Sequence, residues 1–547
     1  MKHTAFPPDG SRRNAVPART APRQPPVRAS RFPILALLSL FLLPSAASVS
    51  AAPEPITYSV AFTYRSNSIA EVTAVVPTEN RDAVELMLPI WSPGYYRVEN
   101  YADNVRSLSA HTLDGEALHA TLSRSNRWRV ETKGNPAVRV SYKLVCNQRT
   151  VTRNSVDPNY AVLNGGATFI TLVDSQSRPH EITLNLPPTW EHSACGLPPI
   201  DGKPHAYRAE DYHALVDSPI LAGRLQIREF DVNGTRHFLV NAGYVSDAWD
   251  NDRAVDGLEK LVQEHHAFWG GLPFDRYFFM NVFRRSGGGL EHRNSTLLAV
   301  ASSARGPSDS WYALACHEYF HAFNVKRLRP VEFNTFDYES PPRTTALWIS
   351  EGLTTYYGIL LVARAGLMSP EWFLERMSAE IALLQNSPGR LHQSLHDASL
   401  NVWESSNSGM SRGNPARTIS YYNKGLIAGL LLDAKIQYAT DGRKCLDDVM
   451  RLACARYSGA TGFTADQFRA LAEEVAGTDL TEWFRRTVSS TEELDYSEML
   501  DWYGLEFGPS DDPNARWQLT PRSDASEAQQ ERLRRLTSPT RRSTDVR

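Results

Sequence analysis

The chain has 547 residues, of which 42% are hydrophobic and 22% are charged, and this length suggests about three domains. Such a composition excludes a protein that is disordered throughout, and the length excludes a single small binding module. The first 52 residues hold seven Lys or Arg residues and one Asp, so the remaining chain carries a net charge of −9. We expect no nucleic-acid partner, because nucleic-acid binding needs clustered Lys and Arg.

The N-terminal region has the pattern of an export signal. A basic stretch leads into the ten-residue apolar run Ile34 to Leu43, and small residues follow from Ser45 to Ala52. This order predicts a signal peptide over residues 1–51 and an exported protein, periplasmic or secreted. The alternative is an uncleaved membrane anchor, but a run this short spans only about half of the hydrocarbon core of a bilayer. We therefore expect no stable membrane insertion after cleavage.

The segment 52–226 is predicted to form an antiparallel β-sandwich-like domain. It contains short apolar or alternating stretches, such as Ala167 to Val173, separated by Pro, Gly, Asn and Asp. A strand pair follows, Leu225 to Val232 and Arg236 to Ala242. The dipeptide Asn233-Gly234 between them is typical of a type I′ hairpin turn.

Helical periodicity begins after Asp250 and dominates beyond Ser308. The predicted helices include Val255 to Phe268, Trp311 to Val325 and Ala346 to Ala365.

Residues 508–547 are polar and rich in Arg, with few apolar side chains. We predict that they form a disordered tail, with a loosely held helix as the alternative, and that the fold and the activity do not need them.

The motif His317-Glu318-Tyr319-Phe320-His321 lies within a predicted helix and indicates a metal site. Residues i and i+4 of a helix lie on one face, so both histidines can direct a ring nitrogen at one ion. Glu318, one position further round the helix, can accept a proton from an attacking water. The alternative is an accidental match on a surface helix.

A third candidate ligand argues against an accidental match. Glu351 follows His321 by 30 residues and lies in an apolar and aromatic stretch of the next long helix. A buried carboxylate needs a partner, because burying it unpaired is costly. Two His and one Glu with an open fourth position are the ligand set of a hydrolytic zinc site, so we expect one Zn²⁺ ion per chain.

Six motifs occur between Pro55 and Phe507: IWSPGYYRVENYADNV (Ile90 to Val105), DSPILAG (Asp217 to Gly223), GGLEHRNS (Gly288 to Ser295), HEYFHAFNVKRLRP (His317 to Pro330), LWISEGLTTYY (Leu347 to Tyr357) and YYNKG (Tyr421 to Gly425). With these motifs in this order, the chain resembles the M61 glycyl aminopeptidases, which are thermolysin-like gluzincins distantly similar to the M1 aminopeptidases. The resemblance implies an α+β multidomain fold. After the N-terminal β domain it places a thermolysin-like zinc peptidase domain over 227–400 and a helical part of the peptidase unit over 401–507.

The resemblance also implies roles for residues that do not bind zinc. Glu291 corresponds to a glutamate that binds the free α-ammonium of the substrate, with Gly288 and Gly289 close to the substrate backbone. From the residues alone, the favoured interpretation of Glu291 is a surface side chain in a Gly-rich turn. Tyr422 corresponds to the donor that stabilises the oxyanion of the tetrahedral intermediate; the alternatives are a packing role or Tyr421 as the donor.

The implied activity is that of a zinc aminopeptidase that removes small N-terminal residues, Gly or Ala, from peptides with a free N-terminus. The alternatives are a zinc endopeptidase with the same site and a catalytically idle peptide-binding scaffold.

Two features depart from the family pattern. Phe323 replaces a Trp two residues after the second zinc-binding His, and only 40 polar residues follow Phe507, where a PDZ domain is common. We expect no PDZ-mediated partner.

Several other residues carry weaker expectations. Thr355, four residues after Glu351, is a candidate to orient a zinc-binding histidine. His265 and His266 are expected to be solvated on an amphipathic helix. The aromatic residues Trp91, Tyr95 and Tyr96 are expected to be packing residues of the β domain, and a place near the mouth of the cleft is also considered. The five cysteines are too few for a disulfide framework, and the one pair considered is Cys146 with Cys195.

Overall fold

The computed structural model describes residues 53–284, 287–404 and 414–540. The predicted signal peptide lies outside these ranges. The N-terminal part of the described chain is rich in strands and the C-terminal part in helices, which confirms the predicted α+β class. Among the described residues, no helix combines the length and the apolar character that crossing a bilayer requires.

The N-terminal β region runs from Ile56 to Gly223. Its elements are β1 (Ile56–Ala61), β2 (Ile69–Pro77), β3 (Ala83–Met87), β4 (Val105–Thr112), β5 (Ala117–Leu118), β6 (Ala120–Arg124), β7 (Arg127–Glu131), β8 (Ala137–Val145), β9 (Ser155–Val156), β10 (Tyr160–Leu163), α1 (Gly165–Thr168), β11 (Thr171–Leu172), β12 (His180–Asn185), β13 (His192–Cys195), β14 (Ala206–Ala209), α2 (Tyr212–Val216) and β15 (Ile220–Gly223). The strand predicted over Ala167 to Val173 is mostly wrong, because Ala167 and Thr168 belong to a short helical turn and only Thr171 and Leu172 form a strand.

These strands form three sheets. The largest has the order β14-β12-β1-β2-β8-β4-β5, and the other two have the orders β11-β3-β7-β6 and β13-β15-β10-β9. Buried and partly exposed residues alternate along β2 and β8, as expected where one face of a sheet covers a core. The β region therefore has an apolar core of its own, which includes Val72, Val140 and Phe169.

A second sheet region supports the site. Its strands are β16 (Gln226–Val232), β17 (Thr235–Gly243), β18 (Arg276–Arg284), β19 (Gly288–Glu291) and β20 (Ser295–Ala301), with helix α3 (Asn251–Trp269) between β17 and β18. The strand order is β16-β17-β18-β20-β19, so β19 lies at an edge and runs antiparallel to β20. The predicted hairpin of β16 and β17 is confirmed, with positive φ angles at Asn233 and Gly234.

Helices make up most of the remaining chain. They are α4 (Asp309–Phe320), α5 (Leu353–Arg364), α6 (Pro370–Gln385), α7 (Leu395–Leu400), α8 (Tyr421–Ala439), α9 (Leu446–Tyr457), α10 (Ala465–Ala476), α11 (Thr481–Phe484) and α12 (Ser497–Tyr503). A π-helical turn, Trp348–Gly352, leads directly into α5. The second large apolar core lies among these helices and the face of the five-stranded sheet that α3 and α4 cover.

The predicted disordered tail is wrong for residues 508–540. After β21 (Leu505–Phe507), the chain forms β22 (Leu519–Pro521), which pairs with β21, and then α13 (Glu527–Leu536). Leu519 and Leu536 are buried in the helical core. The tail is polar overall. It nevertheless packs on the folded domain through these few apolar side chains and through its backbone hydrogen bonds.

The five cysteines are all free. Cys146 and Cys195, the one pair considered, are both buried. Burial raises the pKa of each thiol to about 12, so both stay protonated at neutral pH.

Candidate active site

Helix α4 carries both histidines of the HExxH motif. The N-cap residue of this helix is Ser308, whose side chain accepts a hydrogen bond from the Trp311 backbone N–H at 3.2 Å. The helix ends at Phe320, and His321 follows as its C-cap residue with helical backbone angles. His317 and His321 therefore lie one turn apart on the same face, with their rings 4.6 Å apart.

Glu351 lies on the π-helical turn that precedes α5, and close helix packing brings it to the histidines. Gly352 on this turn meets Gly425 of α8 so closely that a Cβ on either glycine would overlap the facing backbone. Gly358 of α5 faces His317, and a Cβ there would press on the His317 side chain. Small residues at these positions let α5 approach both α4 and α8. A π-turn at a functional position is common, because the extra residue redirects a side chain.

The three candidate ligands converge on one point. His317 Nε2 and His321 Nε2 are 3.0 Å apart, and Glu351 Oε2 lies 3.7 Å from the first and 3.1 Å from the second. Ligand atoms around a tetrahedral zinc ion are expected about 3.3 to 3.6 Å apart, given the usual bond lengths. His321 Nδ1 lies 2.7 Å from the Asn324 carbonyl, which can only accept, so the proton is on Nδ1 and Nε2 is free to bind metal.

The electrostatics of the cluster also favour a bound cation. Burial alone would lower the pKa of His321, but the nearby Glu351 and Glu291 carboxylates outweigh it and raise this pKa to about 9. Burial would raise the pKa of Glu351, yet His321 and His317 hold it well below its usual range. The donor set thus attracts positive charge, and the residues present fit a zinc ion.

Glu318 lies beside this donor set and is 4% exposed. Burial, more than the neighbouring Glu291 and Glu351 carboxylates, raises its pKa well above the usual value. A carboxylate with a raised pKa is a better general base. Gly289 of β19 lies directly against it, and a Cβ at this position would overlap the Glu318 carboxylate. The structure therefore shows Gly289 making room for Glu318.

Glu291, at the end of the edge strand β19, is brought to the same site. It is 3% exposed, and its carboxylate lies within 4.8 Å of the ligand atoms of Glu318 and His321. Its Oε1 atom accepts no hydrogen bond from the described residues. Gly94, in a loop of the β region, covers the carboxylate so closely that a side chain would overlap it. The alternative of a surface residue in a turn is therefore wrong. Gly288, at the start of β19, has a φ of +114°, which favours glycine.

Tyr422 and Thr355 face His317 from two helices. The Tyr422 ring, at the start of α8, stacks at 6.2 Å from His317 and at 4.8 Å from Tyr421. Burial, followed by the Glu351 charge, raises the pKa of Tyr422, so its hydroxyl keeps the proton it would donate. Thr355 donates to the Glu351 carbonyl at 2.8 Å, and its oxygen lies 3.4 Å from His317 Nδ1.

Tyr96 is a site residue that sequence reasoning missed. Its hydroxyl donates a hydrogen bond of 2.9 Å to Glu351 Oε1. The other carboxylate oxygen, Oε2, is the one that lies 3.1 Å from His321 Nε2. The φ angle of Tyr96 is +33°, in the left-handed region that non-glycine residues seldom adopt. Tyr96 lines the cavity next to the site, as the considered place near the cleft mouth implies, and it does more than pack, because its loop of the β domain reaches a candidate metal ligand. The signal for it in the sequence was its position in the aromatic motif Ile90 to Val105.

Replacing Tyr96 with phenylalanine should therefore weaken metal binding. The change leaves the ring but removes the hydrogen bond that orients Glu351, and such partners typically contribute about 10-fold to 100-fold in metal affinity. The measurement is the zinc dissociation constant from competition with a chromogenic chelator. Tyr95→Phe is the matched control, since Tyr95 packs elsewhere. An unchanged dissociation constant in Tyr96→Phe would show that this hydrogen bond is unimportant for metal binding.

The other aromatic and histidine expectations have mixed outcomes. Trp91 packs as expected, and its indole N–H donates to the Asp337 carbonyl at 2.8 Å. His265 is fully buried against α4, so its expected solvation is wrong; burial lowers its pKa to about 4 and keeps the ring neutral. His266, one residue further along α3, is partly exposed.

A cavity of about 840 Å³ adjoins the site on the side of Glu291. Glu291, Tyr96 and Gly94 line it together with charged residues from both regions, among them Asp217 and Lys326. A buried carboxylate thus separates this cavity from the histidine pair. Such an arrangement can hold a positively charged ligand group close to the metal ligands.

A histidine pair on one helix, a glutamate on the next and a second glutamate beside them define the class of metallopeptidases built on the HExxH motif. Two family models match the chain. The Peptidase M61 N-terminal domain matches residues 57–224, and the M61 glycyl aminopeptidase model matches residues 310–428. The chain belongs to the M61 peptidase family, and it is a metallopeptidase.

Solved structures agree with this assignment. The chain is similar to an aminopeptidase N family protein from Idiomarina loihiensis, with 26% identity, a TM-score of 0.78 and coverage of 84% of this chain and 80% of that one. It shares its fold with the M1 zinc metallopeptidase from Deinococcus radiodurans, at 12% identity and a TM-score of 0.51, over 81% of this chain and 95% of that one. No curated protein matches the chain.

Proposed function

We propose that this metallopeptidase is a zinc-dependent aminopeptidase. The observation that carries the proposal is the buried Glu291 carboxylate, which lies within 4.8 Å of Glu318 and His321 atoms and whose Oε1 accepts no hydrogen bond from the described residues. An α-ammonium bound there would sit one residue away from the metal ligands, so the scissile bond would follow the first residue. The endopeptidase alternative has no use for this carboxylate, because an internal peptide segment offers it no charge.

His317, His321 and Glu351 would hold the metal. When bound, zinc acts as a Lewis acid and makes water nucleophilic at neutral pH. Glu318 accepts the proton of the attacking water and returns it to the leaving amine. Tyr422 donates a hydrogen bond to the oxyanion, supported by its position at the His317 ring. Thr355 and Asn324 orient the two imidazole rings through their Nδ1 atoms.

The substrate class and the location of the enzyme belong to the same proposal. The matched family model is that of glycyl aminopeptidases, which supports peptides with a free N-terminal Gly or Ala as substrates. The basic and apolar N-terminal sequence supports export to the periplasm or the exterior.

The test compares a free amine with a blocked one. Wild-type enzyme should cleave glycine p-nitroanilide and leave its N-acetyl form almost untouched. Glu291→Ala should lower kcat/KM for the free amine about 10-fold to 100-fold, since it loses a charge-assisted contact worth about 1.5 to 3 kcal/mol. Zinc content should stay at one ion per chain, because Glu291 is not among the three ligands.

Two results would contradict the proposal. Equal cleavage of the free and the N-acetylated substrate by wild-type enzyme would favour the endopeptidase. Full zinc content without turnover of any short peptide would favour the idle scaffold. Glu371→Gln is a suitable control, because Glu371 is an exposed carboxylate at the start of α6.

A further inference from the structure

A buried lysine lies beside the proposed amine anchor. Lys326, five residues after His321 on the stretch that follows α4, has a side chain that is only 7% exposed. Its Nζ atom lies 3.5 Å from Glu291 Oε1 and donates a hydrogen bond of 2.8 Å to Asp217 Oδ1. The ammonium therefore contacts two carboxylates and binds Asp217 more closely. Neither Lys326 nor Asp217 has a role in the function proposed above.

Asp217 is held in place by groups other than Lys326. It follows α2 in the β region, and its Oδ2 accepts the Arg293 backbone N–H at 3.0 Å. Its Oδ1 also lies 3.2 Å from His292 Nδ1. The partners Arg293 and His292 directly follow Glu291 in the chain, so the strand that ends in the anchor also fixes Asp217. A carboxylate fixed in this way holds a flexible lysine at a defined point.

The position of Lys326 matters because its ammonium carries the same charge as the substrate's α-ammonium. A lysine bonded fully to Glu291 would occupy the oxygen that the substrate needs. The long lysine side chain can swing by the small distance involved, since both carboxylates already lie within 4 Å of Nζ. Asp217 competes for this ammonium and leaves Glu291 Oε1 without a hydrogen bond from the described residues.

We propose that Asp217 is a positioning residue that draws Lys326 away from Glu291 and so keeps the amine anchor available to the substrate. This inference rests on the proposed aminopeptidase function and adds a residue from the β region to its specificity. It also explains how a cation is accommodated in the wall of the cavity next to the anchor. In this arrangement, Asp217 and Lys326 neutralise each other, and Glu291 keeps its single negative charge for the substrate.

The first experiment changes the two residues separately and together. Asp217→Asn should release Lys326 onto Glu291 and raise KM for glycine p-nitroanilide about tenfold, with a much smaller change in kcat. The double variant Asp217→Asn/Lys326→Met removes both charges and leaves Glu291 with its negative charge. Its KM should return to within about threefold of wild type. A purely structural bridge predicts the opposite, because the double variant would be at least as impaired as the single one.

A binding measurement separates the anchor from catalysis. In a zinc-loaded Glu318→Gln background, calorimetry should show that Asp217→Asn weakens binding of glycyl-phenylalanine amide about tenfold and that adding Lys326→Met restores it. Binding of the N-acetylated peptide should not change. Glu210→Gln is the matched control, since Glu210 lines the same cavity but pairs with Arg293 at an exposed position.

The outcomes distinguish this inference from the proposed function. If the wild type does not discriminate between the free and blocked peptides, the aminopeptidase assignment itself fails. If it does discriminate, but Asp217→Asn binds the free amine as tightly as wild type, only the role of Asp217 is overturned. A double variant that binds as weakly as Asp217→Asn also overturns it. If Asp217→Asn does not fold, the double variant decides the question. A dissociation constant near the wild-type value supports the role of Asp217, and one far above it overturns that role.

Discussion

Glu318→Gln is expected to keep its bound zinc and to lose nearly all turnover. Glutamine preserves the shape of the side chain beside Gly289 but cannot accept a proton, and loss of a general base typically lowers the rate by about 10²-fold to 10⁴-fold. His317, His321 and Glu351 are untouched, so the metal should remain. The measurements are kcat with glycine p-nitroanilide and the zinc content of the purified protein by atomic absorption.

The histidine variant His321→Ala should lose zinc as well as activity, whereas Glu318→Gln should lose activity alone. His321→Ala removes a donor that is 1% exposed and fixed by Asn324, so the zinc content should fall well below one ion per chain and activity should fall with it. Glu371→Gln, at an exposed position, should change neither. Full zinc content in His321→Ala, or a Glu318→Gln variant that turns over at the wild-type rate, would remove these residues from their proposed roles.

Ending the chain at Ser510 should strongly destabilise the protein. The deletion exposes the surface that Leu519 and Leu536 cover, about 1.5 to 3 kcal/mol for each side chain. It also removes the Leu536 carbonyl, which accepts a hydrogen bond from Arg364 at 3.0 Å, and Thr540, whose backbone N–H donates to Glu264 at 3.0 Å. Because Arg364 and Glu264 are buried, each lost partner adds to the penalty. We expect the melting temperature to fall by about 5 to 10 °C.

Point variants test the same contact without a deletion. Leu536→Ala should lower the melting temperature, whereas Arg534→Ala should not, because the Arg534 side chain is 70% exposed on the same helix. The two changes lie two residues apart on α13, so they have nearly equal effects on helix propensity. Equal melting temperatures of the full-length and shortened proteins would show that the tail does not stabilise the fold in solution.

The sequence by itself determined the local features of this protein. The two histidines lie on one face because the helical repeat places residues i and i+4 together, and Ser308 marks where that helix begins. The Asn233-Gly234 turn was predictable for a similar reason, since only a few residues adopt the positive φ angles of a tight hairpin. These predictions succeed because each depends on a few neighbouring residues.

The tertiary structure alone decided the contacts between distant segments. Tyr96 reaches Glu351 across 255 positions, and Lys326 meets Asp217 across 109 positions, distances in sequence that no local periodicity covers. The tail was predicted to be disordered from its polar composition. It is ordered because two leucines and a few backbone groups have buried partners on the helices of the core. Composition measures how much apolar surface a segment has, whereas its stability depends on whether a complementary surface lies within reach.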